Sequence, residues 1–190
     1  FLLLASNAGA DLILSAANTG LGTSPYATIS VAISEGGSLA TITAAGLTSS
    51  NGNQYLFGGA NALALNVNST SFTQISTVYM GTPAISPNGV SNQGGSGPFG
   101  KFNYTLTIFD GFTYSVPSLT FTLQNLSGTW TEATFFKTGE GLMPAAAHIF
   151  AATSTGKDTG LTGFVSASIP TTVWLLGSSL ISLVVIGHVA

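Results

Sequence analysis

The sequence predicts an all-β protein: an antiparallel β-sandwich of jelly-roll type, followed by a single C-terminal transmembrane helix. Several segments alternate strictly between apolar and polar residues, which indicates strands with one buried and one wetted face. Turn signals rich in glycine separate these segments. No window of about a dozen residues keeps the helical period of about 3.6 residues, so a helical domain is disfavoured.

The alternating segments give the strands in order. Between 102 and 108, for example, every second residue is apolar, so the side chains at 102, 104, 106 and 108 are predicted to share one buried face. The alternating segments are 27–33, 39–43, 102–108 and 119–123, and the further strand candidates are 54–57, 62–67, 72–80 and 146–151. The turn signals are Glu35-Gly36-Gly37, Asn51-Gly52, Gly58-Gly59, Asp110-Gly111 and Ser127-Gly128.

The chain carries very little charge. Charged residues make up 5% of it, with three basic and six acidic side chains and a net charge of −3, against roughly 25% charged residues in an ordinary globular protein. The hydrophobic fraction is nevertheless 45%, so the surface must be wetted by hydroxyls and amides. Three scattered lysines exclude a nucleic-acid binder. The absence of cysteine excludes a disulfide framework and thiolate chemistry.

The first residues have the character of an export signal. The apolar run Phe1–Ala5 is followed by the small residues of Ala8-Gly9-Ala10. We interpret residues 1–10 as the residual part of a secretory signal peptide cleaved after Ala10, with Ala8 and Ala10 as its recognition residues. The alternative interpretation is a first strand. Under the signal interpretation the exported β-sandwich domain spans residues 11–168.

The last twenty residues, from Thr171 to Ala190, contain no formally charged side chain. A helix of this length rises about 30 Å, which matches the hydrocarbon core of a bilayer. Trp174 lies near the start of the segment, where an aromatic ring fits the membrane interface. The sequence therefore predicts a transmembrane helix. A buried helix or strand of a globular domain is the alternative.

The order Ile169-Pro170, then Trp174, then Gly177-Ser178 and an aliphatic run resembles the C-terminal sorting signal of PEP-CTERM proteins. The resemblance covers residues 169–190. It implies export by a Gram-negative bacterium, transient anchoring in the inner membrane and processing by an exosortase near the proline. It also implies a final place on the cell surface or in the extracellular matrix, in association with exopolysaccharide and biofilm.

Two features depart from that sorting signal. Thr171-Thr172 replace its second proline, which leaves open whether cleavage occurs. The arginine-rich tail that follows the helix in the family does not follow His188-Val189-Ala190. Since basic residues hold such a tail on the cytoplasmic side, we expect them beyond Ala190 in the complete protein.

The inventory of catalytic groups is small. His148 is the histidine outside the terminal segment, and its neighbours Ala147 and Ile149 favour a structural role. The acidic residues show no D-x-D spacing, so no metal site is predicted. Gly95–Lys101 imitates a phosphate loop, but a predicted strand follows where a helix would be needed. We therefore predict no catalytic residue and no cofactor. A hydrolase using His148, or the pair Glu132 and Glu140, is the less favoured alternative.

These observations leave two main hypotheses. The first is a non-enzymatic exported surface or matrix protein. The second is a lectin-like carbohydrate-binding module, because exposed rings pack on sugar C–H groups while amides bind hydroxyls. Its candidate rings are Tyr26, Tyr55, Tyr79, Phe99, Phe112, Tyr114 and Trp130. Because lysine is scarce, sheet edges are also expected to lack their usual protection, and copies of the chain are expected to associate edge to edge.

Overall fold

The computed structural model describes residues 11–80, 89–91, 94–95, 97–108, 111–137, 139 and 142–167. These ranges contain thirteen β-strands and four short 3-10 helices. Every strand pair among them is antiparallel. The prediction of an antiparallel β protein is therefore confirmed.

The strands are numbered β1 to β13 in chain order. They span Leu12–Ala17, Ala27–Ser34, Leu39–Gly46, Gln54–Phe57, Leu63–Leu65, Phe72–Met80, Gly89–Ser91, Gly94–Gly95, Lys101–Phe102, Tyr104–Thr107, Ser118–Asn125, Ala145–Ala152 and Asp158–Ala167. The 3-10 helices span Glu35–Gly37, Gly97–Phe99, Phe112–Tyr114 and Glu132–Thr134. Each predicted segment overlaps one or two observed strands, whereas β1, β7, β8 and β13 were not predicted.

Eleven of the strands form one sheet, in the order β6-β11-β3-β2-β1-β13-β12-β5-β10-β7, with β4 also paired to β12. The centre of this sheet joins the first strand of the domain to the last, since Leu14 of β1 lies opposite Ala167 of β13. Strands β8 and β9 form a separate hairpin. The β1–β13 pair therefore connects two halves of the sheet that are built from different parts of the chain.

The sheet curls so that its two halves pack against each other. Tyr104 of β10 stacks on Phe121 of β11, with ring centroids 5.2 Å apart, although these strands lie near opposite ends of the sheet. The Tyr104 hydroxyl also donates to Gln74 Oε1 of β6 at 2.8 Å. Backbone hydrogen bonds between Phe57 of β4 and Val116 join the halves as well. The inner faces thereby enclose one hydrophobic core.

Period-two alternation explains which side chains enter that core. In β11, Leu119, Phe121 and Leu123 are buried, while the intervening side chains are half-buried. Strand β3 shows the same pattern, with Ala40, Ile42 and Ala44 buried. Successive side chains of a strand point to opposite faces of its sheet, so each strand contributes one face to the core and one to the outside.

The segment predicted as a single strand over 102–108 is interrupted at Asn103. The side chains of Tyr104, Leu106 and Ile108 enter the main core as predicted, but Phe102 lies in a small separate cluster with Ala64 and Ala146. The prediction that Phe102 shares a face with Tyr104 is wrong. Asn103 separates β9 from β10, so the alternation does not continue through it.

The outer side of β12 and β13 carries aromatic rings and is partly covered by another segment of the chain. Gly97 lies directly against the ring of Phe164, since a Cβ atom there would be 2.8 Å from Phe164 Cδ2. Phe99 packs on the cluster that contains Phe102 and Ala146. The described residues between Gly97 and Phe102 therefore form a cover over this part of the sheet.

Strand β6 forms one end of the sheet and contains a β-bulge. Thr122 of β11 pairs with Ser76, and the next residue, Leu123, pairs with Gln74, so that Ile75 is the extra residue on β6. The Ile75 side chain is 50% exposed. Bulges interrupt a regular edge ladder and so protect sheet edges from pairing with other chains.

The predicted terminal signals lie outside the described residues. This holds for residues 1–10, with Ala8 and Ala10, and for the sorting segment from Ile169 to Ala190. Among the residues that the structure describes, no helix is long and apolar enough to cross a membrane.

Candidate functional site

The main candidate site is the outer surface of β2, β3 and β11, on the half of the sheet opposite the covered strands. We call this surface the hydroxyl face. It is formed by the outward hydroxyl side chains of Thr28, Ser30, Thr41, Thr43, Thr120 and Thr122. Ser30 is exposed and the threonines are half-buried. The inward side chains of the same strands belong to the core, which holds this surface in place.

Strand register brings the threonines into pairs. Thr43 of β3 lies opposite Thr120 of β11, and their Oγ1 atoms are 3.4 Å apart. Thr41 lies opposite Thr122, with 3.5 Å between their hydroxyl oxygens. Threonine is branched at Cβ and therefore stiff at χ1, so hydroxyls paired in this way keep a defined direction. The result is a two-by-two block of ordered hydroxyl groups.

The hydroxyl face is electrically neutral. Strands β2, β3 and β11 contain no Asp, Glu, Lys or Arg. Exposed isoleucines lie at both sides of it: Ile13 of β1, 55% exposed, neighbours Thr28, and Ile75 lies in the bulge beside Thr122. The surface therefore offers hydroxyl and methyl groups without charge, so contact with an uncharged molecule would desolvate no ion.

A shallow depression of about 300 Å³ on the other half is lined by Asn66, Lys101, Phe102 and Asn103. Its asparagines are occupied by structural hydrogen bonds. Asn66 Nδ2 donates to the carbonyl oxygens of Met143 at 2.8 Å and Lys101 at 3.3 Å. Asn66 Oδ1 accepts from the backbone N–H of Asn103 at 3.3 Å. These amides support the backbone here, which leaves little polar capacity for a ligand.

His148 lies on the outer side of β12 among aromatic rings. Its ring stacks on Phe164 with centroids 4.6 Å apart and lies 4.9 Å from the ring of Phe150. Thr162 Oγ1 is 2.8 Å from His148 Nε2 and also donates to the carbonyl oxygen of Ile149 at 3.0 Å. Because the hydroxyl has one proton and the carbonyl only accepts, His148 Nε2 donates to Thr162. In this arrangement the imidazole does not activate the hydroxyl as a nucleophile.

Three of the seven candidate sugar-stacking rings are inside the protein. Tyr26, Tyr55 and Trp130 are buried, and Phe99 is half-buried in the cover over β12. Tyr114 is 45% exposed, on a 3-10 helix that also carries the half-buried Phe112. The side chain of Tyr79 lies outside the described residues. An aromatic sugar platform is therefore limited, among the rings that are described, to the neighbourhood of Tyr114.

Tyr55 anchors the loop that follows β1. Its hydroxyl donates to the carbonyl oxygen of Thr23 at 2.9 Å, and its ring packs edge-on against Tyr26 at 5.1 Å. Burial disfavours the charged phenolate and raises the pKa of Tyr55 above its ordinary value of 10.0. This perturbation belongs to a buried structural anchor.

The other predicted groups do not come together in a site. Within the described ranges, no three His, Asp or Glu side chains are grouped so as to hold a metal ion. Glu132 lies on a 3-10 helix, whereas Glu140 is outside the described residues, as are Ile169, Pro170, Trp174, Gly177 and Ser178. The predicted sorting and cleavage residues therefore stay predictions.

Sequence reasoning missed the hydroxyl face, although part of its signal was present. The patterns Thr41-Ile42-Thr43 and Thr120-Phe121-Thr122 each place two threonines on one side of a strand. Nothing local indicates that these segments are neighbours, because they lie about eighty residues apart and meet only through the sheet register.

Comparisons of the chain with protein-family models, with curated proteins and with solved structures found no match.

Proposed function

We propose that this chain is a non-catalytic exported protein of the bacterial cell surface or extracellular matrix, associated with exopolysaccharide. In this proposal the curled sheet is a jelly-roll-like sandwich, and residues 169–190 form a membrane helix that anchors it in the inner membrane for a time. An exosortase-type enzyme then processes the sorting segment around Pro170. No nucleic acid, metal or organic cofactor takes part.

The observation that carries this proposal is the neutral hydroxyl face. A surface made of threonine and serine hydroxyls remains wetted without ions, and it exchanges hydrogen bonds with water or with uncharged polymers at little desolvation penalty. The remaining polar chemistry supports the same interpretation. The asparagines of the depression form hydrogen bonds with backbone groups. His148 donates to the Thr162 hydroxyl, which itself donates to a backbone carbonyl oxygen.

The sorting part of the proposal is tested by following an epitope inserted after Ser154, in the exposed turn between β12 and β13. In a Gram-negative host with an exosortase, the complete wild-type protein is expected in the extracellular fraction. Pro170→Ala is expected to accumulate uncleaved in the inner membrane, and Trp174→Lys to lose membrane anchoring. Thr155→Ala serves as the matched control. A wild-type chain retained in the cytosol would overturn the proposal, as would unchanged sorting of both variants.

A second candidate function is a lectin-like module centred on Tyr114. Its half-exposed ring and the neighbouring Phe112 are carried on one short 3-10 helix, which is a small aromatic surface of the kind that packs on sugar C–H groups. Binding of soluble oligosaccharides, lost in Tyr114→Ala and kept in Thr113→Ala, would favour this function over a structural one.

A further inference from the structure

The hydroxyl face is rigid and regular, and these two properties restrict its ligands. Neighbouring strands lie about 4.8 Å apart, and residues two apart on a strand are separated by about 6.6 Å. The paired hydroxyls of Thr41 with Thr122 and of Thr43 with Thr120 occupy such a grid, and Ser30 of β2 extends it because it lies opposite Thr43. A rigid grid matches a ligand whose own groups repeat at fixed intervals.

Isolated hydroxyl contacts do not hold a soluble sugar. Each one replaces a hydrogen bond to water, so its net contribution is only about 0.5–1.5 kcal/mol. The outward side chains of β2, β3 and β11 include no aromatic ring on which a sugar could stack. A flexible glycan would also lose conformational entropy on binding. The face is therefore poorly suited to a free oligosaccharide.

A solid array of polymer chains avoids these penalties. Its hydroxyls are already ordered, so several weak contacts form together and their effects combine. The methyl groups of the threonines, together with Ile13 and Ile75 at the sides, add apolar contact for the C–H groups of such an array. The surface therefore favours packed chains over the same chains in solution.

Charge selects among packed polymers. The hydroxyl face contains no cation to pair with carboxylates or sulfates, and the whole chain has a net charge of −3. An anionic polymer would be repelled, whereas a neutral polymer meets no opposing field. The other outer surface, over β12, is already covered by Gly97 and Phe99. The open neutral surface is thus the one suited to contact with a polymer.

From these observations we infer that the hydroxyl face binds packed chains of a neutral polysaccharide as a solid surface. This inference rests on the proposed function and deepens it, because it names the material to which the matrix protein attaches. Thr43 and Thr120, at the centre of the grid, are the residues on which this binding depends.

The test is co-sedimentation of the full chain with microcrystalline cellulose, insoluble chitin and insoluble β-1,3-glucan. We expect retention on at least one of these solids and no competition by soluble fragments of the same polymer. Thr120→Lys places a charged side chain in the centre of the grid and is expected to weaken retention about tenfold, because contacts that act together are lost together. Thr155→Lys adds the same charge on a distant exposed turn and is expected to bind like the wild type.

Thr43→Val keeps the shape of the side chain and removes one hydroxyl, so it reports on the face even if Thr120→Lys is poorly folded. We expect it to weaken retention to a smaller extent than the lysine variant. Equal retention of the wild type and both variants would overturn the inference. So would retention on none of the solids, full competition by soluble fragments, or adsorption to ice crystals without adsorption to polysaccharide.

The outcome is separable from that of the proposed function. If the epitope-tagged chain reaches the extracellular matrix but does not bind the solids, only the inference about the hydroxyl face fails. If the tagged chain stays in the cytosol, the proposed function fails whatever the purified chain binds.

Discussion

The side-chain amide of Asn103 binds both backbone groups of Val67. Its Oδ1 accepts from the Val67 N–H at 2.8 Å, and its Nδ2 donates to the Val67 carbonyl oxygen at 2.7 Å. This pairing continues the ladder between β5 and β10 after the backbone pairing of Leu65 with Tyr104. A side chain thus takes the place of a strand at the point where the cover over β12 ends and β10 begins.

Asn103→Ala should therefore be strongly destabilising. It leaves the N–H of the buried Val67 without a partner, whereas the Val67 carbonyl oxygen still accepts from the Ser69 N–H at 3.0 Å. A buried unsatisfied group costs about 1–3 kcal/mol. We expect a loss of about 1–3 kcal/mol in the free energy of unfolding, measured by urea denaturation of the full chain. Asn68→Ala, which removes an exposed hydrogen bond to the Thr134 carbonyl oxygen, is the control. Equal denaturation midpoints for the two variants would contradict this role of Asn103.

Tyr55 should make the protein sensitive to alkali. Burial raises its pKa above 10.0 in the folded state, so the folded protein holds this proton more tightly than the unfolded chain. The resulting stability is complete below pH 10.0 and is lost as the pH rises through the folded pKa. We expect the wild type to lose more stability between neutral and strongly alkaline pH than Tyr55→Phe, which lacks the ionisable group. An equal loss of stability with rising pH in the two proteins would show that ionisation of Tyr55 does not contribute to the alkaline sensitivity.

Gly46→Ala should disrupt the join between β3 and the loop before β4. A Cβ atom at Gly46 would overlap the carbonyl oxygen of Tyr55, which belongs to the backbone and cannot rotate away. We expect destabilisation of about 3 kcal/mol or more, or failure to accumulate folded protein. Gly128→Ala is the matched control, because nothing lies within 4 Å of the added atom. Equal thermal unfolding temperatures for Gly46→Ala and Gly128→Ala would refute this explanation.

The bulge at Ile75 should protect the β6 edge. Deleting Ile75 would let β6 pair with β11 without an extra residue and present a regular edge, which is a template for pairing with another chain. We expect this deletion to increase self-association in concentration-dependent light scattering. Ile75→Thr keeps the bulge, lowers the apolar exposure and should remain as dispersed as the wild type. If association depends on the apolar side chain of Ile75 rather than on the bulge, the deletion variant will not associate more than the wild type.

Much of the sheet could be predicted from alternation alone. The alternating segments 27–33 and 119–123 lie within the observed strands Ala27–Ser34 and Ser118–Asn125, because a half-buried strand imposes its period directly on the sequence. Strand β13 escaped prediction because Gly160 and Gly163 interrupt the apolar pattern and Leu161 is exposed. Its place in the sheet depends on pairing with β1 and β12, which no local pattern records.

The site was harder to predict than the strands. The sequence showed that hydroxyls must cover the surface, but the pairing of Thr43 with Thr120 depends on register between distant strands. Asn103 was predicted as an ordinary outward residue of a strand, whereas the structure uses its amide to replace a strand. Both features depend on contacts between distant parts of the chain. A local sequence pattern therefore could not distinguish these residues from neighbours that make no such contact.

The pairing of β1 with β13 has a consequence for how the chain reaches its final form. A polypeptide that emerges from a ribosome or a translocation pore with its N-terminus first exposes Leu14 long before Ala167 becomes accessible, yet these two residues meet at the centre of the sheet. Closure must therefore wait until the last strand has emerged, and contacts so distant in sequence make folding slow. The topology thus delays the completion of folding, and the chain remains able to pass through a pore until its last strand has emerged.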